Sequence, residues 1–280
     1  MGNREKNDLD INSPDERLEE ISETVREIGL RLTGSGLRYI AKVSGEVADD
    51  DMIRIRNNIQ YRSDALKVQL SLLLDIQTTH NELANSVGPN TGYPFRKLAR
   101  EQFSMFDNVV FHSCSLFDYV GYLAHFLCGL GDQAKKGWRS VANALRDDDN
   151  EIRDCIAGPI IRRLDRQWVA QLFDYRSDLI HYNARLGSVV STVDLGRRER
   201  ILKTYAPSRF VSDMSELRKK AEGQDVTLRF AAFWLTEKTL DSVRRVLKNL
   251  SEVIEHNWQI PHHLQPVKFD LPDEESEADE

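Results

Sequence analysis

The sequence predicts a mainly α-helical bundle with an N-terminal helical hairpin and a small inserted β-hairpin. Three observations predict it. Apolar residues recur at steps of three and four in several long segments. Only one stretch, around residues 189–205, is short and β-branched. The glycine-rich and cysteine-paired motifs of other fold classes are missing.

The elements follow in order. Residues 1–12 are polar and read as disordered. Ser13-Pro14-Asp15-Glu16 is a helix start, because Ser13 can cap, Pro14 suits the first helical position and Glu16 completes a capping box. Leu18, Ile21, Val25, Ile28 and Leu32 then form one stripe, and Thr33-Gly34-Ser35-Gly36 is expected to end it. A second helix is expected from about Asp49 to Asn85, with its seam at Leu66, Leu70, Leu73, Gln77 and Ala84. Leu72, Leu74 and Ile76 widen its apolar face.

Two Gly and two Pro between Gly88 and Pro94 break the chain there. This gives a hairpin unit at 13–90, hinged to a main body at 91–265. The body begins with an aromatic helix, Phe95–Leu127, carrying Phe103, Phe106, Val110, Phe117, Val120 and Leu127 on one side. A short helix is expected over Lys135–Leu145, and a longer one over Ile160–Ala184. In the latter, Ile161, Leu164, Trp168, Leu172, Tyr175, Leu179 and Tyr182 share a face. Val189–Val193 and Ile201–Tyr205 read as a hairpin turning at 195–198, inserted at about 188–209. Residues 225–234 fit a strand or a helix equally, and Leu240, Val243, Leu247, Leu250 and Ile254 mark a final helix.

The 280 residues carry 38 basic and 45 acidic side chains, a formal charge of −7. The last eleven residues hold seven of the acids and no base, so the rest of the chain is neutral overall. Residues 151–250 are basic, with 19 Lys and Arg against 13 Asp and Glu. The total charge therefore does not exclude a nucleic-acid substrate. Residues 266–280 read as an acidic, disordered tail. No stretch is apolar enough to span a membrane. The N-terminus lacks the apolar core of a signal peptide, and Lys6 occupies the Ser/Thr position of a myristoylation signal. A cytoplasmic protein is expected. Three scattered cysteines, Cys114, Cys128 and Cys155, supply neither a disulfide framework nor a zinc site. No metal and no cofactor is expected.

The chemically suggestive segment is Asp174-Tyr175-Arg176-Ser177-Asp178-Leu179-Ile180-His181-Tyr182-Asn183. Arg176 and His181 are five residues apart, roughly 7.5 Å along a helix and about 140° around it. A guanidinium grips phosphate oxygens with a planar fork. An imidazole accepts or donates a proton near neutral pH. The bland alternative pairs Arg176 with Asp174 or Asp178 at the surface and makes His181 a helix-end residue. The segment resembles the Arg-x4–6-His signature of the HEPN superfamily, near the end of a late helix in an all-α bundle. Phe111–Tyr119 similarly resembles an early helix of such a bundle. The resemblance covers residues 95–256, leaving the 13–90 hairpin and the β-hairpin as additions.

That resemblance implies a metal-independent RNA endonuclease, commonly a homodimer that brings two such motifs into one cleft. Arg176 would hold the scissile phosphate and His181 would transfer the proton of the attacking 2′-hydroxyl. Ser177 and Asp178 would be supporting polar groups. A toxin or phage-defence role, with an antitoxin or regulatory partner protein, would fit such an enzyme. Arg162, Arg163 and Arg166 on the motif helix, with Arg197 and Arg198 on the hairpin, are candidate RNA-backbone contacts. Lys203, the cluster at 218–220 and that at 244–248 add further positive charge. His112 and His125 lie 13 residues apart and do not share a tight ligand face. The alternative function is a non-catalytic helical scaffold, binding partners through the stripes at 18–32 and 66–84.

Overall fold

Leu18, Ile21, Val25, Ile28 and Leu32 are the buried face of helix α1 (Glu16–Ser44). They are shown by a computed structural model that describes residues 8–11, 16–44, 49–86, 95–128, 137–146, 157–181, 187–194 and 199–257. The helix does not stop at Gly34 or Gly36, as the sequence suggested, but continues to Ser44. Gly36 is a packing residue: a Cβ there would sit 2.9 Å from both Leu127 Cδ2 and Met52 Cε. Missing side-chain volume lets α1 approach two other helices, which offsets the helix-propensity cost of glycine. The capping segment 12–15 and the break at 87–94 lie outside the described residues, as does the acidic tail.

Helix α2 (Asp49–Ser86) buries Leu66, Leu70, Leu73, Gln77 and Ala84. Leu74 is also buried, whereas Leu72 faces solvent with Tyr61, Val68 and Leu83. Helix α3 (Phe95–Cys128) supplies the densest buried surface, including Phe103, Phe106, Phe117 and Val120. Buried residues of α1, α2 and α3 belong to one continuous core, shared with the last helix.

Two short helices follow, α4 (Trp138–Ala144) and α5 (Gly158–Leu164). The latter runs through one π-helical turn (Asp165–Val169) into α6 (Ala170–His181). The extra residue shows as an Ala170 N–H bonded to the Asp165 carbonyl, five residues back.

The hairpin forms where expected, β1 (Val189–Asp194) pairing with β2 (Glu199–Thr204) from Val189↔Thr204 to Asp194↔Glu199. Its outer edge is closed by side chains of α2 in place of a third strand. Asn85 accepts from Arg200 N at 2.6 Å and donates to Arg200 O at 3.1 Å. Asn81 accepts from Leu202 N at 3.1 Å, and Gln77 donates to Leu202 O at 2.9 Å. Three amides spaced four apart along a helix thus satisfy an edge that would otherwise stay open.

Helices α7 (Ser208–Asp213) and α8 (Ser215–Ala221) fill a stretch to which the sequence pattern gave no element. Residues 225–234 resolve their ambiguity by dividing. Val226 and Thr227 make isolated bridges, and α9 (Leu228–Asn257) starts immediately after. Residues 8–11, expected to be disordered, are built into this region. Leu9 bridges Val226 in parallel. Asp8 accepts from Lys203 Nζ at 2.6 Å and Tyr205 Oη at 3.0 Å. Asp10 accepts from Thr227 Oγ1 at 2.7 Å and Arg229 Nη2 at 2.6 Å.

At the closest crossing of α3 and α4, a Cβ on Gly121 would lie 2.6 Å from the backbone nitrogen of Trp138. Backbone cannot swing aside as a side chain can. Gly121→Ala is expected to cost about 1–3 kcal/mol, read as a lowered urea midpoint at constant slope. A variant as stable as wild type would mean that the two helices are not held at this spacing.

Candidate functional site

Helix α6 runs antiparallel to α3. Trp168 meets Phe117 at a ring-centroid distance of 5.4 Å, and Cys114 Sγ reaches the Leu172 carbonyl at 3.9 Å. One turn further, Arg176 comes over the ring of Phe111, 5.7 Å from its centroid. Arg176 Nη1 lies 3.8 Å from Asp118 Oδ2. Its Nε is buried and has no hydrogen-bond partner among the described residues, while the side chain as a whole stays about one-third exposed.

The pairing differs from both carboxylates that the sequence offered. Asp174 pairs with Arg139, and Asp178 with Arg209 on α7. Asp178 thus engages an arginine outside the motif. Ser177 is exposed. Arg176 is instead served by Asp118, one of the residues between Phe111 and Tyr119 that pattern reading left without a role. Asp118 Oδ1 also accepts the N–H of Trp138, at 3.1 Å, at the start of α4. Burial pushes the Asp118 carboxyl above the usual carboxylate range, and the Trp138 N–H, Arg176 and Arg139 pull it back. Asp118 is thus a shared anchor for α4 and for the guanidinium of α6.

His181 is the last residue of α6 and is exposed. The five-residue offset places it roughly 7.5 Å beyond Arg176, toward the N-terminal half of α3. On α3, burial lifts the Asp107 carboxyl to about 6. The Tyr175 hydroxyl is pushed up too, first by burial and then by the Asp107 charge, with Arg209 opposing. Burial likewise pushes the Cys114 thiol up, which suits an inert packing residue.

On the other flank of α3, Arg62 of α2 donates to His112, Nη1 to Nδ1, at 2.9 Å. A guanidinium only donates, so this nitrogen must be the unprotonated one. Burial and then the Arg62 charge both lower the His112 pKa. Arg62 Nε is buried without a partner, and among the described residues Arg62 makes no ion pair.

Among the described candidate phosphate contacts, Arg162 and Arg166 do not gather at Arg176. Arg162 and Arg166 lie ten or more residues earlier on the same helix, roughly 15 Å or more away. Arg162 donates to the Leu145 carbonyl at 3.3 Å, and Arg166 to the Arg162 carbonyl at 3.4 Å. Arg163 is exposed. Arg197 and Arg198 lie outside the described residues. Arg244 and Arg245 are both tied to Asp241, and Lys203 to Asp8. Among the described residues no group of three or more His, Cys, Asp or Glu is placed to hold a metal ion. No helix among them is long and apolar enough to cross a membrane.

No family model matches the chain, and neither curated proteins nor solved structures provide a match.

The Arg62–His112 bond makes stability depend on pH with a definite sign. A histidine with a lowered pKa binds fewer protons when folded than when unfolded, so stability falls as pH drops through the ordinary histidine range. His112→Gln keeps an acceptor for Arg62 without the titration. The urea midpoint of wild type is expected to fall more than that of His112→Gln between pH 7.5 and pH 5. Parallel losses would show that this bond does not survive in solution.

Proposed function

We propose that the chain is a HEPN-like, metal-independent RNA endonuclease that acts as a homodimer. The observation that carries this reading is the Arg176 guanidinium. It is held over Phe111 beside Asp118, with one N–H unpartnered, on the helix whose last residue is the exposed His181. A charge held beside a half-buried carboxylate loses little side-chain freedom when it takes up a phosphate.

In this mechanism the His181 imidazole removes the proton of an RNA 2′-hydroxyl. The 2′-oxygen attacks the adjacent phosphorus, and the P–O5′ bond breaks. A second imidazole, from the other copy of the motif, protonates the leaving 5′-oxygen. The products are a 2′,3′-cyclic phosphate and a 5′-hydroxyl. Arg176 offsets the negative charge that builds on the non-bridging oxygens. Asp118 acts through Arg176 as a positioning residue. Ser177, exposed one residue on, remains a supporting polar group. Ile180, more than half exposed beside His181, is an apolar side chain that a second copy would cover. A cytoplasmic toxin or phage-defence effector, restrained by a partner protein, fits such an activity.

The scaffold alternative loses its main support. The stripes at 18–32 and 66–84 that would serve as its partner faces are consumed by the protein's own core.

Incubation with mixed RNA in EDTA tests the reading. Wild type is expected to cleave, and His181→Ala and Arg176→Ala to lose about 100-fold or more in rate with unchanged helicity. Equal cleavage by His181→Ala, or an inert wild type, would overturn it. Ile180→Asp is expected to move the protein from dimer to monomer in light scattering and to reduce cleavage with it. Loss of activity in a variant that stays dimeric would contradict the dimer account.

A further inference from the structure

Helix α3 has a second stripe besides its buried one. Phe111, His112, Ser115, Asp118, Tyr119 and Tyr122 fall within an arc of about 120° at 100° per residue. All six are half-buried, neither packed away nor fully in water. The stripe runs about 16 Å along the axis. Helix α2 borders it with Arg62, bonded to His112, and α6 borders it with Arg176, over Phe111 and beside Asp118.

Two features of this strip call for a ligand. Among the described residues neither bordering arginine finds an acceptor for its buried Nε, one on each side of the same helix. Buried donors are almost always satisfied, so two orphans flanking one strip mark where acceptors are missing. Arg62 also carries a charge that no carboxylate among the described residues balances. Along the same strip lie half-exposed aromatic rings, Tyr119 and Tyr122 standing edge to face at 5.7 Å.

We infer that this strip is a binding track for single-stranded RNA. Phosphates pass Arg62 and Arg176, and unpaired bases lie against Phe111, Tyr119 and Tyr122. Charge selects a polyanion, and half-exposed aromatic faces select unstacked bases over a closed duplex, whose bases are unavailable. The antiparallel course of α6 puts His181 beyond the Arg176 end of the strip. A strand on this track therefore leads to the proposed cleavage site. Arg62, His112, Tyr119 and Tyr122 are assigned to substrate binding, on helices that carry no part of the Arg/His motif. The inference rests on the endonuclease reading for its substrate class.

Binding is measured by fluorescence anisotropy with a labelled 12-nucleotide RNA of mixed sequence, in EDTA. All proteins carry His181→Ala so that the RNA stays intact. Arg62→Ala and Tyr119→Ala are each expected to weaken binding about tenfold. Arg62→Ala should also lower the salt slope by about one. Should Arg62→Ala prove unfolded by circular dichroism, Arg62→Gln and Tyr119→Ala carry the test. Substituting the exposed Lys219 and Lys220 of α8 together by Ala is expected to change affinity less than twofold. Parental affinity in the folded Arg62 and Tyr119 variants would overturn the track, as would equal affinity for a duplex of the same sequence. The two proposals separate cleanly. RNA binding that depends on Arg62, in a chain whose wild type leaves RNA intact, supports the track and removes the endonuclease. Cleavage that is indifferent to Arg62 and Tyr119 does the reverse.

Discussion

A chain of edge-to-face aromatic contacts holds the site-bearing helices in place. Phe117 meets Trp138 at 4.9 Å and Trp168 at 5.4 Å, and Trp168 meets Trp234 at 6.2 Å. Trp234 continues to Phe210 at 6.5 Å, and Phe210 to Phe106 and Tyr175 at 5.0 Å each. The chain begins and ends on α3 and passes through α4, the π turn, α9, α7 and α6. Each ring contact adds roughly 0.5–1.5 kcal/mol beyond area burial, and each fixes an orientation as well as a distance. Tyr175 is the residue immediately before Arg176. Its ring, locked on Phe210, sets the rotation at which α6 presents the guanidinium.

Polar anchors refine what the rings begin. Asp165, buried in the π turn, accepts from Trp138 Nε1 at 2.9 Å and Arg146 Nη2 at 2.6 Å. Asp118 holds the backbone of the same Trp138 and turns its other oxygen toward Arg176. Trp138 is thus gripped at both ends by carboxylates from two elements. The geometry at Arg176 therefore depends on the seating of a seven-residue helix that lies far from the motif in sequence. Desolvation of these carboxylates is offset by the groups bonded to them, and removing one partner would leave the other stranded.

The sequence was informative where one physical rule governed. Steps of three and four located α1, α2, α3 and α9, because each buries one face in a common core. β-branched runs about a turn located the hairpin. It misled at Gly36, where glycine serves close packing and does not end the helix. It gave nothing at α7 and α8, two helices of six and seven residues that are too short to show a period. The π turn was invisible because Leu164, Trp168 and Leu172 still step by four. At the candidate site, Arg176 and His181 were legible as residues, but Asp118 and Arg62 were not. Their importance comes from contacts across 58 and 50 positions of sequence, which no local pattern encodes. The half-exposed stripe of α3 could have been found by asking which of its positions are neither apolar enough for the core nor charged enough for open solvent.

In the proposed reaction an exposed histidine, a braced arginine and an aromatic strip serve one chemical event, attack by a 2′-hydroxyl on the neighbouring phosphate. It is tested most directly with an RNA carrying a single 2′-deoxynucleotide on the 5′ side of a mapped cleavage position. The account requires cleavage at that bond to disappear while other bonds in the same strand are still cut in EDTA. Undiminished cleavage at the deoxy position would contradict it, because the nucleophile would then come from elsewhere.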